Sequence, residues 1–273
     1  MTTSIEQTKN VIPFLNWAGG KRWFVSSCIG VFPKKYNRYI EPFLGSGAVF
    51  FGIQPHKAIL SDVNENLIET YQAIKDGWEK VQSILWEHHR KHSKDYYYKI
   101  RESRPRTTYS KAAKFIYLNR TCWNGLYRVN LKGKFNVPVG TKKNVILDTD
   151  DFEYTSKILQ SAELYSEDFE KIIEKSSCGD LLFVDPPYTV KHNFNNFVKY
   201  NEKLFSWEDQ IRLRNCLLRA KERGAHVFVT NAHHDSVKKL YKGNFNLSSV
   251  QRNSLIASES NRRGKIQELF IRG

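Results

Sequence analysis

No two of the four cysteines, Cys28, Cys122, Cys178 and Cys216, stand close enough to form a CxxC pair. That argues against a zinc site and a disulfide framework, and fits a reducing cytosol. No apolar stretch approaches the roughly 20 residues that cross a bilayer, and the first residues lack the apolar core of a secretory leader. The expectation is a cytoplasmic protein with no membrane partner and no metal. Gly45-x-Gly47 has no third glycine in the GxGxxG spacing, and no GxxxxGK[ST] run occurs. A dinucleotide or nucleoside triphosphate is therefore less expected than a mononucleoside without phosphates. His233 and His234 have no metal-like set of partners, so they read as structural or surface residues. Internal repeats and low-complexity tracts are absent, and 273 residues suggest one large or two smaller domains.

Acids are nearly missing from Arg90 to Lys143, where 15 Lys or Arg meet only Asp95 and Glu102. That surplus of 13 nearly accounts for the chain's formal net charge of +15. Tyr96, Tyr97, Tyr98, Tyr109, Tyr117, Trp123 and Tyr127 are interleaved with the cations. Cations for phosphates and rings for bases are what nucleic-acid binding requires. A solvated basic face is the plainer alternative.

What is present is organised around Leu181-Leu182-Phe183-Val184, an apolar run that reads as a short buried strand. Asp185 ends it, and Pro186 and Pro187 then stop the ladder and stiffen the turn before Tyr188. An acid, a preset carbonyl and a flat ring at the carboxyl end of a strand lie where open α/β sheets bind ligands. Such a group suits a planar amine. Glu41-Pro42-Phe43-Leu44-Gly45-Ser46-Gly47 reads as strand, glycine turn and helix start, with room for an adenosine-sized ligand. A second strand, 57–62, ends at Asp62, 15 positions after Gly47, in the manner of a ribose-diol reader; the alternative is a cap of the helix expected from Asn64 to Lys75.

Near the N-terminus, Trp17-Ala18-Gly19-Gly20-Lys21 offers a ring, close backbone approach and a cation facing a carboxylate; a core tryptophan before a turn is the alternative. Helices are expected at 78–92 and 111–118, separated by a Pro-bearing linker at 102–108. Asn124-Gly125 marks a turn and Lys132-Gly133 a hairpin tip. Arg128 near the hairpin base suits guanine, while Trp123 and Leu126 could wedge into a base stack. Further on, a strand is expected at 159–165. Asp168 either accepts from an adenine amino group beside Phe169 or caps a helix. Residues 189–206 read as a lid loop. Ser206 to Asp209 resembles a capping box opening a helix to about Arg223, and strands are expected at 225–230 and 265–272.

Taken in order, Trp17-Ala18-Gly19-Gly20-Lys21, Glu41-Pro42-Phe43-x-Gly45-x-Gly47, Asp62, Asn124-Gly125-Leu126-x-Arg128 to Asn136-Val137-Pro138, and Asp185-Pro186-Pro187-Tyr188 resemble the Dam-type (D12 class) DNA adenine-N6 methyltransferases. The resemblance runs from near Phe14 to near the C-terminus. It implies an α/β, class-I S-adenosylmethionine-dependent methyltransferase fold, Rossmann-like with a seven-stranded sheet, and an inserted mainly helical DNA-recognition domain carrying a β-hairpin. The implied division is 11–76 and 144–273 for the catalytic domain and 77–143 for target recognition, with the hairpin near 126–138.

The implied activity is site-specific transfer of a methyl group from S-adenosylmethionine, leaving S-adenosyl-L-homocysteine, to N6 of a flipped adenine in duplex DNA, with GATC as the expected target. The catalytic set would be Asp185, Pro186, Pro187 and Tyr188. The cofactor would meet Trp17, Ala18, Gly19, Lys21, Glu41, Pro42, Phe43, Gly45, Ser46, Gly47, Asp62, Asp168, Phe169 and Asp185. DNA would meet Trp123, Asn124, Leu126, Arg128, Asn136 and Pro138. Two positions depart from the family pattern: Trp123 replaces a Tyr, and Thr141 stands where many relatives carry a basic residue. The implied setting is a bacterial or phage-encoded monomer, with a cognate restriction endonuclease at the system level. No cysteine sits in a Pro-Cys loop, which excludes C5-cytosine chemistry. The alternatives are an N4-cytosine methyltransferase and a non-catalytic DNA-binding relative.

Overall fold

The structure, a computed structural model, describes residues 9–125, 127–130, 133–191, 205–253 and 265–273. The expected wedge Leu126 and positions 192–204 of the expected lid lie outside them. Strands run at β1 (Tyr39–Glu41), β2 (Ala58–Ser61), β3 (Ala162–Tyr165), β4 (Leu181–Val184), β5 (His226–Ala232), β6 (Asn246–Asn253) and β7 (Lys265–Arg272). Among the described residues they form one seven-stranded sheet, in the order β3-β2-β1-β4-β5-β7-β6. β1 pairs in parallel with β2 and β4, and β4 with β5. β7 runs antiparallel between β5 and β6. All four residues of β4 are buried, as a continuous apolar run in the parallel part of a sheet requires. This is the expected α/β architecture.

The helices are α1 (Arg22–Cys28), α2 (Ala48–Ile53), α3 (Glu65–Lys91), α4 (Lys94–Glu102), α5 (Thr108–Thr121), α6 (Phe152–Leu159), α7 (Phe169–Ile173), α8 (Trp207–Glu222) and α9 (Asp235–Tyr241). The chain divides into two compact units. One comprises Met1–Ile29, Gly45–His56 and Asn64–Ser166; the other Gly30–Leu44, Lys57–Val63 and Glu167–Gly273.

Local chemistry explains most helix ends. Asn64 caps α3 by accepting from the Leu67 N–H at 3.2 Å, so the capping role open to Asp62 falls to another residue. α3 kinks at Gly77, where a Cβ would lie 2.8 Å from the Tyr109 ring. Thr107 and Ser110 cap α5 reciprocally, and Ser206 with Asp209 does the same for α8, the box expected there. One expectation needs correction. The strand placed at 159–165 begins only at Ala162, because Asp151 caps a helix that runs through Leu159. Ser93 caps a further helix, α4, in a stretch for which no element was expected.

Candidate active site

In the second unit, β2, β1 and β4 lie side by side and each delivers a carboxylate at its carboxyl end: Asp62 just after β2, Glu41 closing β1, and Asp185 just after β4. Glu41 is buried and accepts from the Tyr39 phenol at 2.8 Å. Burial, then the Glu41 charge, raises the Tyr39 phenol well above its usual range, so it stays a donor.

Strand register assembles the surroundings of Asp185. Val184 pairs with Val229, which puts Thr230 alongside, and the Thr230 hydroxyl donates to Asp185 Oδ1 at 2.6 Å. β7 brings Glu268 opposite Ala232, and the buried Glu268 carboxylate accepts from the Tyr188 hydroxyl at 2.7 Å. Burial, then the charges of Asp185 and Glu268, raises the Tyr188 phenol well above its ordinary value. The phenol is thus a fixed donor and its ring is held by one end. Pro186 is buried, while Asp185, Pro187 and Tyr188 are half-buried.

Phe43 stacks on Phe169 at 5.5 Å and meets Phe205 edge-on at 5.7 Å. The Arg212 guanidinium lies 4.1 Å over the Phe169 ring. Asp168 shows the capping role: Oδ1 accepts from the Glu170 N–H at 3.0 Å and from Arg212 at 2.6 Å, while Oδ2 accepts from Arg212 at 2.9 Å. These Arg212 bonds lower the Asp168 carboxyl below its usual range. Glu170 and Glu174 lie with Cys216 in a compact group, and Arg212, Arg219 and Arg223 engage the two carboxylates.

The first unit holds the glycine turns. Gly45 (φ +50°) and Gly47 (φ +65°) are left-handed, and Gly47 precedes α2. At Gly45 a Cβ would lie 2.7 Å from Trp17 Cδ1, so the absence of a side chain there also admits the Trp17 ring. Gly19 is also left-handed, but a Cβ there would have no neighbour within 4 Å. Ala18 and Gly19 are exposed, whereas Ser46 and Lys21 are buried. The Lys21 ammonium donates to the Gly19 carbonyl at 2.9 Å. The backbone of Asn16 and the side-chain amide of Asn119 exchange two bonds of 2.8 Å, which docks this segment on α5.

In the basic segment the rings divide. Tyr97 and Tyr117 are fully buried, and Tyr96 bonds His88 at 2.8 Å. Tyr109 packs against Gly77 with the Lys80 ammonium 4.7 Å from its ring centroid. Helical spacing turns Tyr97 and Tyr117, expected among rings for bases, inward to hold helices together, while Tyr96 and Tyr109 are half-buried. Arg120 is a structural cation as well, buried in a bidentate pair with Asp150 at 2.6 Å. Lys114 caps carbonyls of Arg101 and Ser103.

In the segment expected to form the hairpin, Val129 bridges Phe135 in antiparallel fashion and Gly133 is left-handed, while the expected tip residue Lys132 lies outside the described residues. Asn124 and Gly125 form the expected turn, both left-handed. Trp123 is 53% exposed, and Asn124, Arg128, Asn136 and Pro138 are also exposed. Arg128 donates to Asn136 Oδ1 across the hairpin at 3.1 Å. The return arm is tied down: Tyr97 donates to the Val137 carbonyl at 2.9 Å, Trp123 N–H to the Pro138 carbonyl at 2.9 Å, and Gly140 N–H to the Thr121 carbonyl at 2.7 Å. Thr230, Glu268 and Arg212 carry no sequence signal that singles them out.

The seven-stranded sheet, with carboxylates at the carboxyl ends of β2, β1 and β4, is a Rossmann-like arrangement. The model of the D12 class N6 adenine-specific DNA methyltransferases matches residues 17–256, and the chain belongs to that family. It is 37% identical to the Type II methyltransferase M1.LlaDCHI of Lactococcus lactis subsp. cremoris, covering 96% of this chain and 95% of that one. It is 32% identical to the DNA adenine methylase of Haemophilus influenzae, over 94% and 92% of the two chains. The DNA adenine methylase of Escherichia coli K12 is 29% identical, over 94% and 93%. Among solved structures, precorrin 8W decarboxylase of Methanobacterium thermoautotrophicum aligns over 96% of this chain and 94% of that one, at 10% identity and a TM-score of 0.39. Among the described residues, no helix is long and apolar enough to cross a membrane.

Proposed function

We propose that this chain is a site-specific DNA-methyltransferase (adenine-specific), EC 2.1.1.72, acting on N6 of an adenine flipped out of duplex DNA, with GATC as its target. The observation that supports it most is the Asp185 carboxylate at the end of β4, fixed by Thr230 and followed by two prolines. Adenine's N6 lone pair is delocalised into the ring and is a poor nucleophile. Asp185 and the Pro186 carbonyl would each accept from N6–H and favour a pyramidal nitrogen. The Asp185 charge offsets the positive charge that develops on N6. Tyr188, tethered through its hydroxyl to Glu268, offers the face of its ring to the base. Stacking worth about 1–3 kcal/mol offsets part of the few kcal/mol that flipping costs.

The residues present suit S-adenosylmethionine. Asp62 and Glu41 are acceptors at strand ends, and Phe43 with Phe169 supplies an apolar wall for an adenine ring. The family pattern further assigns Trp17, Ala18, Gly19, Lys21, Gly45, Ser46 and Gly47 of the first unit, and Pro42, Asp168 and Asp185 of the second, to the cofactor. What the bound donor supplies is an electrophilic methyl group on a sulfonium sulfur. Trp123, Asn124, Leu126, Arg128, Asn136 and Pro138 are assigned to the DNA, within a recognition segment spanning 77–143. The Type II name of the Lactococcus relative supports a cognate restriction endonuclease at the system level. Mapping of modified bases in DNA from cells expressing the chain tests this reading. N6-methyladenine confined to GATC is expected. Modification in another motif would overturn the target, and modified cytosine would overturn the activity.

A further inference from the structure

In the first unit, one row of rings runs from the glycine turn to the hairpin. It begins at Gly45, whose missing side chain admits the edge of Trp17, the prospective Cβ lying 2.7 Å from Cδ1 and 3.0 Å from Nε1. The face of Trp17 then stacks on Tyr127, centroids 5.9 Å apart and planes within 20°. Tyr127 packs on Phe135, on the opposite arm of the hairpin, at 5.5 Å. Phe115 of α5 backs the row, 4.7 Å from Tyr127 and 6.5 Å from Trp17. The Tyr127 hydroxyl accepts from Asn66 Nδ2 at 3.4 Å, near the start of α3.

We propose that Tyr127 is a positioning residue that couples donor binding to DNA recognition. This rests on the function proposed above, in which Trp17 and Gly45 serve the cofactor and the hairpin serves the DNA. Tyr127 sits one position before Arg128 and touches both ends of the row. Trp17 cannot shift against Gly45 without sliding over Tyr127, because rigid stacked rings have few alternative packings. A ligand that orders the glycine turn therefore orders the hairpin arm that carries Arg128. Linkage makes the effect reciprocal: DNA on the hairpin must strengthen donor binding by the same factor. The ring, rather than the hydroxyl, carries the coupling.

The test uses the full chain, a fluorescent GATC duplex and S-adenosyl-L-homocysteine, which binds without reacting. Duplex affinity is measured by anisotropy with and without saturating S-adenosyl-L-homocysteine, and the reciprocal titration by calorimetry. In the unsubstituted chain each ligand tightens the other by the same factor, on the order of tenfold. Tyr127→Ala brings that factor to about one while each ligand alone binds within about threefold of the parent. Tyr127→Phe restores it. Should Tyr127→Ala fail to fold, Phe135→Leu, at the far end of the row, is expected to show the same loss. Full coupling in a folded variant without the stack overturns the proposal, as does absence of coupling in the parent chain when both ligands bind. If the parent binds neither ligand, the functional reading itself fails.

Discussion

The strand-end site and the hairpin proposed to meet DNA are built in opposite ways. Around Asp185 the sheet register does the placing: Thr230 and Glu268 arrive from β5 and β7 and hold the acid and Tyr188 by short bonds. Around the hairpin, helix packing does the placing. Buried Tyr97 and the end of α5 grip the return arm, and Trp123, Asn124, Arg128, Asn136 and Pro138 stand exposed. On the proposed reading, chemistry needs a group that does not move, so its partners are internal, and recognition needs groups that change partners, so its anchors are internal and its contacts are not. The lesson is that a basic, aromatic-rich segment contains two populations of the same residue types, one holding the scaffold and one facing outward.

Substitutions can separate the two regions. Asp185→Ala has the largest expected effect, a fall in methyl transfer of at least about 10²–10³-fold, with duplex affinity unchanged; single-turnover kinetics and anisotropy together measure it. Next comes acid lability of the helices around His88. Burial lowers the His88 imidazole to about 4, against an ordinary 6.5, so the fold favours its neutral form. The unfolded chain then binds the extra proton, and the stability this contributes is present above pH 6.5 and lost as pH falls toward 4. The loss amounts to at most about 3 kcal/mol. Thermal melts across that window show the slope, and His88→Gln is expected to flatten it. Thr230→Val follows. It frees the Asp185 carboxylate from one donor and costs about 2 kcal/mol in transfer, roughly 30-fold, read in kcat with the KM for DNA unchanged. Arg128→Ala is the smallest, about 1–2 kcal/mol of discrimination between cognate and mismatched duplexes, read as a ratio of kcat/KM with maximal turnover retained.

Much of this was legible in the chain itself. The strand ending at Asp185, the glycine turn at 45–47, Asp62 after its strand, the Ser206 capping box and the Gly133 hairpin all rest on local chemistry. What was not legible depends on distant partners. Thr230 lies 45 positions from Asp185, and Glu268 lies 80 from Tyr188. Nothing local marks either as a holder of the site. Tyr97 and Tyr117 look like base-stacking rings until α3, α4 and α5 pack and bury them. Nor does anything local show that a Cβ at Gly45 would meet the Trp17 ring. Asp168 caps α7 through the nearby Glu170 N–H, but its second partner, Arg212 of α8, is 44 positions away.

The measurement closest to the central claim is the identity of the methylated nucleoside. Unmethylated duplex is incubated with the chain and methyl-labelled S-adenosylmethionine, then digested and resolved. The account expects label in N6-methyladenosine of the deoxy series and none in cytosine. Label in N4-methylcytosine, or no label while donor and duplex both bind, would contradict it.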